Sequence, residues 1–430
     1  MTSFRLASAA LLATTALSAP AFSQNLTSEV SQLRAQIDAQ DQRIAELESD
    51  QGDLPSLATD VGGVTLTFGG RINAAVLHAE QGGRDQTFIA DNDGSGSRFS
   101  FNAESRLSED LSAGVDIVVS AEVNSTDQID FGSNFGAADE DGPAGDFRQA
   151  HFYVDSSRFG YISFGQGDTA AEDTAHADLS GTSFAGAGSD VDDIAGGLHF
   201  YDEDDTDLAE LDDFFDMLDG SRSVRALYVS PDFGGFSIAA SGTNSDSGSD
   251  GDDDLSNSGL SPAVALLYEN ELGFGEVTGA VSWRSEESDE GDDTFIVASG
   301  SILLNSGLNF TLAGAQGDID GRDEDDTAYF GKVGYIADFT ELGETRFSLD
   351  YYRGKNQPQF GDPGDLLSES DNDLVQATSY GLFAVQSISD LNAEFYVGYR
   401  NYELSDVYLD GSETSVEDLS AVLAGARIRF

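Results

Sequence analysis

The chain has four histidines, His78, His151, His176 and His199, and no cysteine. Imidazole and thiolate are the side chains best suited to proton transfer and nucleophilic attack near neutral pH. Here the histidines fall in different segments, without the spacing of metal ligands, and no nucleophile–base arrangement accompanies them. No glycine-rich phosphate loop follows a strand. The sequence therefore predicts no enzyme, no metal site and no cofactor. What it offers instead is fixed charge of both signs. Arg71, Arg98, Arg106, Arg225, Arg400, Arg427 and Arg429 recur through the chain, most of them on the polar side of alternating stretches. Carboxylates crowd residues 168–220, among them Glu172, Asp173, Asp178, Asp190, Asp192, Asp193 and the run Asp202, Glu203, Asp204, Asp205. Such arrays steer and sort ions without making or breaking a bond. The motifs DNDGSG (91–96) and DIDG (318–321) have the look of calcium loops. Neither has the glycine-then-distant-glutamate spacing of an EF-hand, and both read as solvated acidic loops.

The charges are carried on strands. In VTLTFGGRINAAV (64–76), Val64, Leu66, Phe68, Gly70, Ile72, Ala74 and Val76 share one face, with Thr65, Thr67, Gly69, Arg71, Asn73 and Ala75 on the other. Alternate side chains of a strand point to opposite faces, so one face is apolar and the other polar with a charge. A typical strand is about 5–6 residues long, and this pattern runs far beyond that. The same alternation recurs in SRFSFNAESR (97–106), GVDIVVSAEV (114–123), EVTGAVSWR (276–284) and LNAEFYVGYRNY (391–402). In AVLAGARIRF (421–430), Ala424, Ala426 and Ile428 fall outward, Arg427 and Arg429 inward, and Phe430 ends the chain.

The start of the chain has another origin. Arg5 precedes the apolar run Leu6 to Leu17, and small residues Ala21 and Ser23 precede Gln24, which reads as a signal peptide over 1–23. The run is shorter than the ~20 residues of a spanning helix, and no later segment supplies one. With 20 basic and 79 acidic residues the net charge is −59, which weighs against nucleic acid as a partner. Over 24–53, Leu26, Val30, Leu33, Ile37, Gln40, Ile44 and Leu47 fall at alternating spacings of four and three, a heptad seam that predicts a short coiled coil. The alternative is an amphipathic helix packed on its own chain.

From Val64 to Phe430 the pattern predicts about sixteen strands, near 64–77, 97–107, 112–124, 146–155, 158–167, 221–230, 234–243, 261–270, 274–285, 293–304, 307–316, 326–337, 345–354, 374–386, 390–402 and 417–430. Short Gly/Asn/Asp turns alternate with long acidic loops. An even strand number with turns at one end and loops at the other is the pattern of an outer-membrane barrel. In hydrocarbon every backbone donor and acceptor needs a partner, so strands span only when closed into a barrel. Lipid outside and water inside then account for the two faces. A barrel of about 16–18 strands encloses a channel. The fold class is thus all-β, a transmembrane antiparallel barrel preceded by a short coiled-coil helix. A soluble sandwich would bury its apolar faces together.

FRQAHFYVDSSRFGYISFGQGD (147–168) resembles the arginine–aromatic hairpin of the trimeric general diffusion porins of Gram-negative bacteria, and SRSVRALYVSPDFGGFSIAAS (221–241) resembles the strand–turn–strand that follows their inward-folded loop. The terminal Phe430 resembles the ending read by outer-membrane assembly machinery. The likeness covers roughly Val64 to Phe430, with the coiled coil outside the common core. It implies an outer-membrane homotrimer, contacting lipids outside and permeating ions and small solutes inside, with its coiled coil in the periplasm. It also implies that 168–220 folds into the lumen, with Phe184, Ile194, Leu198, Phe200, Phe214, Phe215 and Leu218 packing it against the wall. Its carboxylates would then face a basic cluster to which Arg71, Arg98 and Arg225 correspond. Gln166 stands where many relatives carry arginine, which weakens that cluster, and the strand pattern leaves open whether Gln166 or Gly165 faces the lumen. Two readings of the inward arginines stand: a basic lining, or structural pairs with lumen acids such as Glu104 and Glu394.

The expected function is a water-filled diffusion channel with a modest cation preference. A substrate-selective channel of the same architecture and an outer-membrane anchor tethered by the coiled coil are the alternatives.

Overall fold

The computed structural model describes residues 57–132, 145–202, 207–244, 260–287, 292–320, 325–356, 375–409 and 412–430. The residues expected to form a signal peptide (1–23) and a coiled coil (24–53) lie outside the described residues. The strands form a closed 16-stranded antiparallel barrel. Its rows are Val64–Gln81, Arg84–Asp91 continued by Arg98–Ser108, Leu111–Ser120, Phe147–Ser156, Gly160–Asp168, Arg222–Val229, Phe236–Asn244 and Leu260–Leu272. The remaining rows are Gly275–Glu287, Asp292–Leu304, Leu308–Asp318, Asp326–Thr340, Gly343–Asn356, Val375–Ile388, Ala393–Ser405 and Leu419–Arg429. Leu419–Arg429 closes the barrel by pairing with Ala393–Ser405 on one side and Val64–Gln81 on the other.

Two strands go beyond the alternation pattern. Arg84–Asp91 returns from Val64–Gln81 through Gly82 and Gly83, at φ 53° and 89°. A two-residue hairpin of this hand needs positive φ at both positions, which glycine takes without a steric cost. Its Phe88 and Ala90 are buried while Asp85 and Thr87 share the other face with Ile89, so the strand lacks an apolar outer face. Leu57–Val61 pairs with Val64–Phe68, on the flank of that strand beyond the point where the last strand stops opposite Arg71.

The outer face is apolar, as in Phe68, Ile72, Val76, Leu349, Leu382, Val397 and Ile428, all exposed. Lipid-facing apolar residues alternating with inward ones define a transmembrane barrel. The inner face is of two kinds. Part carries charge and water-seeking groups. The rest is apolar, with Leu77, Phe330, Phe383, Val385, Leu419 and Leu423 buried and pointing inward.

The described residues of 169–221 cover that apolar part. Phe184, Ile194, Leu198, Phe200, Phe214, Phe215 and Leu218 are all buried in one cluster with those wall residues. Phe215 meets Tyr402 and Tyr352 at ring separations of 5.1 and 5.5 Å. Hydroxyls then pin the backbone: Tyr402 donates to the Val191 carbonyl at 2.6 Å and Tyr352 to that of Asp216 at 2.8 Å. The amide of Leu179 donates to Ser301 Oγ at 3.0 Å. These wall side chains share the face opposite the lipid-facing one, so the segment lies inside the barrel. At its base the Gly220 amide donates to the Ala171 carbonyl at 3.2 Å, and the Asp219 carboxylate accepts from the amides of Thr174 and Ala175.

DNDGSG is not a solvated loop. Asn92, Ser95 and Ser97 are buried. The Asp91 carboxylate accepts from the Ser97 hydroxyl at 2.8 Å and the Val123 amide at 3.0 Å, making the motif an internal knot that splits the second row. Of DIDG, Gly321 lies outside the described residues.

Candidate functional site

Cross-strand register assembles the basic side. Arg429 stands directly opposite Arg71, and Arg71 opposite Arg98, so three inward arginines line up across three adjacent rows. Like charges directly opposite repel. A wet lumen and nearby acceptors relieve this. Arg71 Nε donates to the Gly96 carbonyl at 3.1 Å, and Arg429 donates to Glu394 at 3.0 Å. Arg106 is exposed at the turn end of its strand.

Three other arginines have their charge taken up by the protein. Arg400 is fully buried, donating to Asp350 at 2.7 Å and to the Gly186 carbonyl at 3.0 Å. Arg427 grips both oxygens of Glu394 at 3.1 Å, a fork-to-carboxylate geometry specific to guanidinium. Arg225, also buried, donates to the carbonyls of Asp168 at 2.9 Å and Gly165 at 3.1 Å. Glu394 thus serves as a structural partner, whereas Glu104 accepts from the hydroxyls of Tyr153 and Ser112.

Gln166 pairs directly with Val224, which is 72% exposed on the outer face, so Gln166 faces outward and Gly165 faces the lumen opposite Arg225. Gln166 therefore says nothing about the strength of a basic lining. Glycine at 167 leaves room for Arg225, since a Cβ there would stand 2.8 Å from its guanidinium.

On the acidic side, Glu172 pairs with Arg222 at 3.3 Å, and burial pushes its carboxyl up to about 8. Asp173 is exposed; partial burial raises its carboxyl, but the hydrogen bond and charge of His176 outweigh this and hold it below the usual range. His176 Nε2 meets Asp190 at 2.7 Å and Nδ1 meets Asp173 at 3.1 Å. Burial opposes its charge, yet Asp190 and Asp173 raise its pKa well above an ordinary imidazole's. Burial, then the charge of Asp190, lifts both Asp192 and Asp193 well above the carboxylate range. Asp202 is buried and bridges to Val416 through its backbone. Glu203, Asp204 and Asp205 lie outside the described residues.

Several charged residues escaped the sequence pattern. Lys332 is buried, paired with Asp178 and bonded to Ser180. It alternates with Val333 and Tyr335 on its strand, so its inward direction was readable, but its partner on the inward segment was not. Arg222, which also contacts Asp168 at 3.3 Å, lies at the mouth of the same segment. Among the described residues no group of three or more His, Asp or Glu side chains has metal-binding geometry.

A closed barrel of sixteen strands, with a segment docked inside it and fixed charges along the remaining wall, defines a porin-type channel of the outer membrane. The chain belongs to the Gram-negative porin family, which it matches over residues 7–407. That match takes in the N-terminal segment and stops short of the last strand. No curated protein matches the chain in sequence. Among solved structures it is similar to an anion-selective porin from Comamonas acidovorans, with TM-score 0.54 and 16% identity over 85% of this chain and 100% of that one. It is likewise similar to OmpT, an outer membrane protein of Vibrio cholerae, with TM-score 0.54 and 12% identity over 88% and 100%. OprB of Pseudomonas putida gives TM-score 0.55 and 10% identity over 86% and 94%. Identities this low speak for the fold alone.

Proposed function

We propose that this porin is a general diffusion channel for ions and small hydrophilic solutes, with a modest preference for cations, and that 169–221 forms its constriction. One observation carries the preference. Arg225, Arg400 and Arg427 are buried against internal acceptors, while the Asp173 and Asp190 carboxylates, two against the single charge of His176, keep 68% and 36% side-chain exposure. Charges at the narrowest point dominate selectivity, because those beyond a Debye length of ~8 Å are screened at physiological salt. Reversal potentials of single channels in planar bilayers under a salt gradient test this. Cation preference weakening as salt rises is expected, and chloride preference at every salt concentration would overturn it.

A second reading, an anion-preferring channel, draws on the aligned Arg429, Arg71 and Arg98. The same recordings decide between the two.

The porin works as a homotrimer in this reading, consistent with a trimer form of the Vibrio cholerae OmpT neighbour. Residues 1–23 direct export, 24–53 form a periplasmic coiled coil, and Phe430 is the residue read by the assembly machinery.

A further inference from the structure

Phe184 lies in the inward segment, on a short turn (Ser183–Ala185) that is buried against the wall. Its ring lies 3.5 Å from the Arg427 guanidinium carbon and edge-on to Tyr396 at 5.9 Å. Its carbonyl accepts from the side-chain amides of Asn73 and Asn92, both at 3.4 Å. Asn73 is oriented in turn by the Tyr396 hydroxyl, which donates to it at 2.6 Å. Arg427 cannot swing away from the ring, because Glu394 holds two of its nitrogens and Ser95 Oγ accepts from a third at 3.0 Å. It is 9% exposed. A guanidinium over an aromatic face, shielded from water, makes the strong form of this contact.

We propose that Arg427 is a positioning residue that clamps the inward segment to the wall through Phe184, keeping the passage open, and that it contributes nothing to charge selectivity. This rests on the channel reading above. The clamp joins the barrel's closing strand to the segment that narrows it, so its release lets residues around 184 move into the passage. Conductance then fluctuates. The ion preference stays as it was, because Arg427 and Glu394 are buried away from the passage and Arg429 still pairs with Glu394 once Arg427 is gone.

The test combines single-channel recording of the full exported chain with amide exchange over residues 182–188 in the folded, detergent-solubilised barrel. Arg427→Gln and Phe184→Ala should each raise the rate of closing events about thirtyfold, the worth of a buried cation–ring contact. Both should speed exchange at 182–188 and leave the reversal potential at the wild-type value. Arg427→Lys, which keeps the charge but loses the fork, should recover part of the effect. Arg71→Gln serves as the contrast and should move the reversal potential toward cations without altering closure.

Phe184→Ala guards against misfolding as the explanation, since it leaves every barrel strand intact. Wild-type gating and exchange in Phe184→Ala would overturn the clamp. So would an Arg427→Gln channel that shifts reversal potential as Arg71→Gln does while closing normally. Absence of conductance in the wild-type chain would refute the channel reading instead, and exchange at 182–188 would still decide whether Arg427 holds the segment.

Discussion

Arg400 and Asp350 meet at 2.7 Å with both side chains completely removed from solvent, and the same guanidinium reaches the Gly186 carbonyl of the inward segment. Burying two charges is costly, and the cost is offset only while both remain. Arg400→Ala or Asp350→Ala should each destabilise the folded barrel by about 3–5 kcal/mol by stranding the other charge. Arg400→Met with Asp350→Leu should cost less than either single change. Midpoints of heat-induced unfolding measure this, and a double variant whose loss is the sum of both singles would contradict the pairing.

Ion preference should depend on pH. Burial and neighbouring carboxylates raise Asp212 and Asp219 to about 7, and burial raises Glu172 to about 8. These groups ionise as pH climbs from 6 to 9, while Asp190 and Asp173 keep His176 protonated beyond the range of an ordinary imidazole. Ionisation of the acids makes the interior more negative. The reversal potential should therefore move toward cations with rising pH, and a constant or opposite trend would count against these acids facing the ion path.

Docking of 169–221 should follow a related curve with a definite sign. Groups whose pKa is raised on folding bind protons more tightly when docked. Their stabilisation is complete below the unfolded values, about 4 for carboxylates and about 6.5 for histidine. It is lost as pH rises through 7 to 8 for Asp212, Asp219 and Glu172, and for His176 as pH rises through its own raised pKa, well above that of an ordinary imidazole. Asp178 acts the other way: burial raises it, but the charge of Lys332 outweighs that and lowers its pKa, so its contribution disappears in strong acid. Amide protection across 169–221, corrected for intrinsic exchange, should be greater at pH 5.5 than at pH 9. Equal protection at the two pH values would disprove the linkage.

Phe430 exchanges backbone hydrogen bonds with Gly70 at 2.8 and 2.9 Å, and its ring fills the space that a Cβ at Gly70 would enter at 2.9 Å. Gly70→Ala should therefore lower the yield of folded barrel. Deleting Phe430 should do the same without affecting passage across the inner membrane, if this residue is read during assembly. Heat-modifiable protein at normal levels in both variants would remove the terminal residue from that role.

Removing residues 26–50 should leave single-channel conductance nearly unchanged, because the coiled coil is proposed to lie in the periplasm. A large change would mean that the helix plugs or gates the channel.

The barrel was legible because its signal is repetitive. Lipid on one side and the interior on the other impose a period of two, and thirteen residues from Val64 show it without help from any distant contact. The strands that escaped are those without that boundary condition. Arg84–Asp91 has polar groups on its outer face, and Leu57–Val61 is short and precedes the main pattern. The buried aromatic residues of 169–221 were likewise readable, since seven large apolar side chains in an acidic stretch need a surface to cover.

The sequence alone thus determined the fold class and the direction most strand side chains take, because these depend on local alternation, and showed an acidic segment with large apolar residues, whose inward placement was implied by the family resemblance. Only the tertiary structure decided which charges remain available. Arg427 and Arg71 are both inward by the same alternation, yet Arg427 meets Glu394 and Phe184, while Arg71 stands between Arg429 and Arg98. Gln166 and Gly165 were told apart only by their partners across the ladder, Val224 and Arg225. Strand period gives direction, but the fate of a charge is set by residues tens to hundreds of positions away, and folding of the barrel is what brings them within a few ångströms.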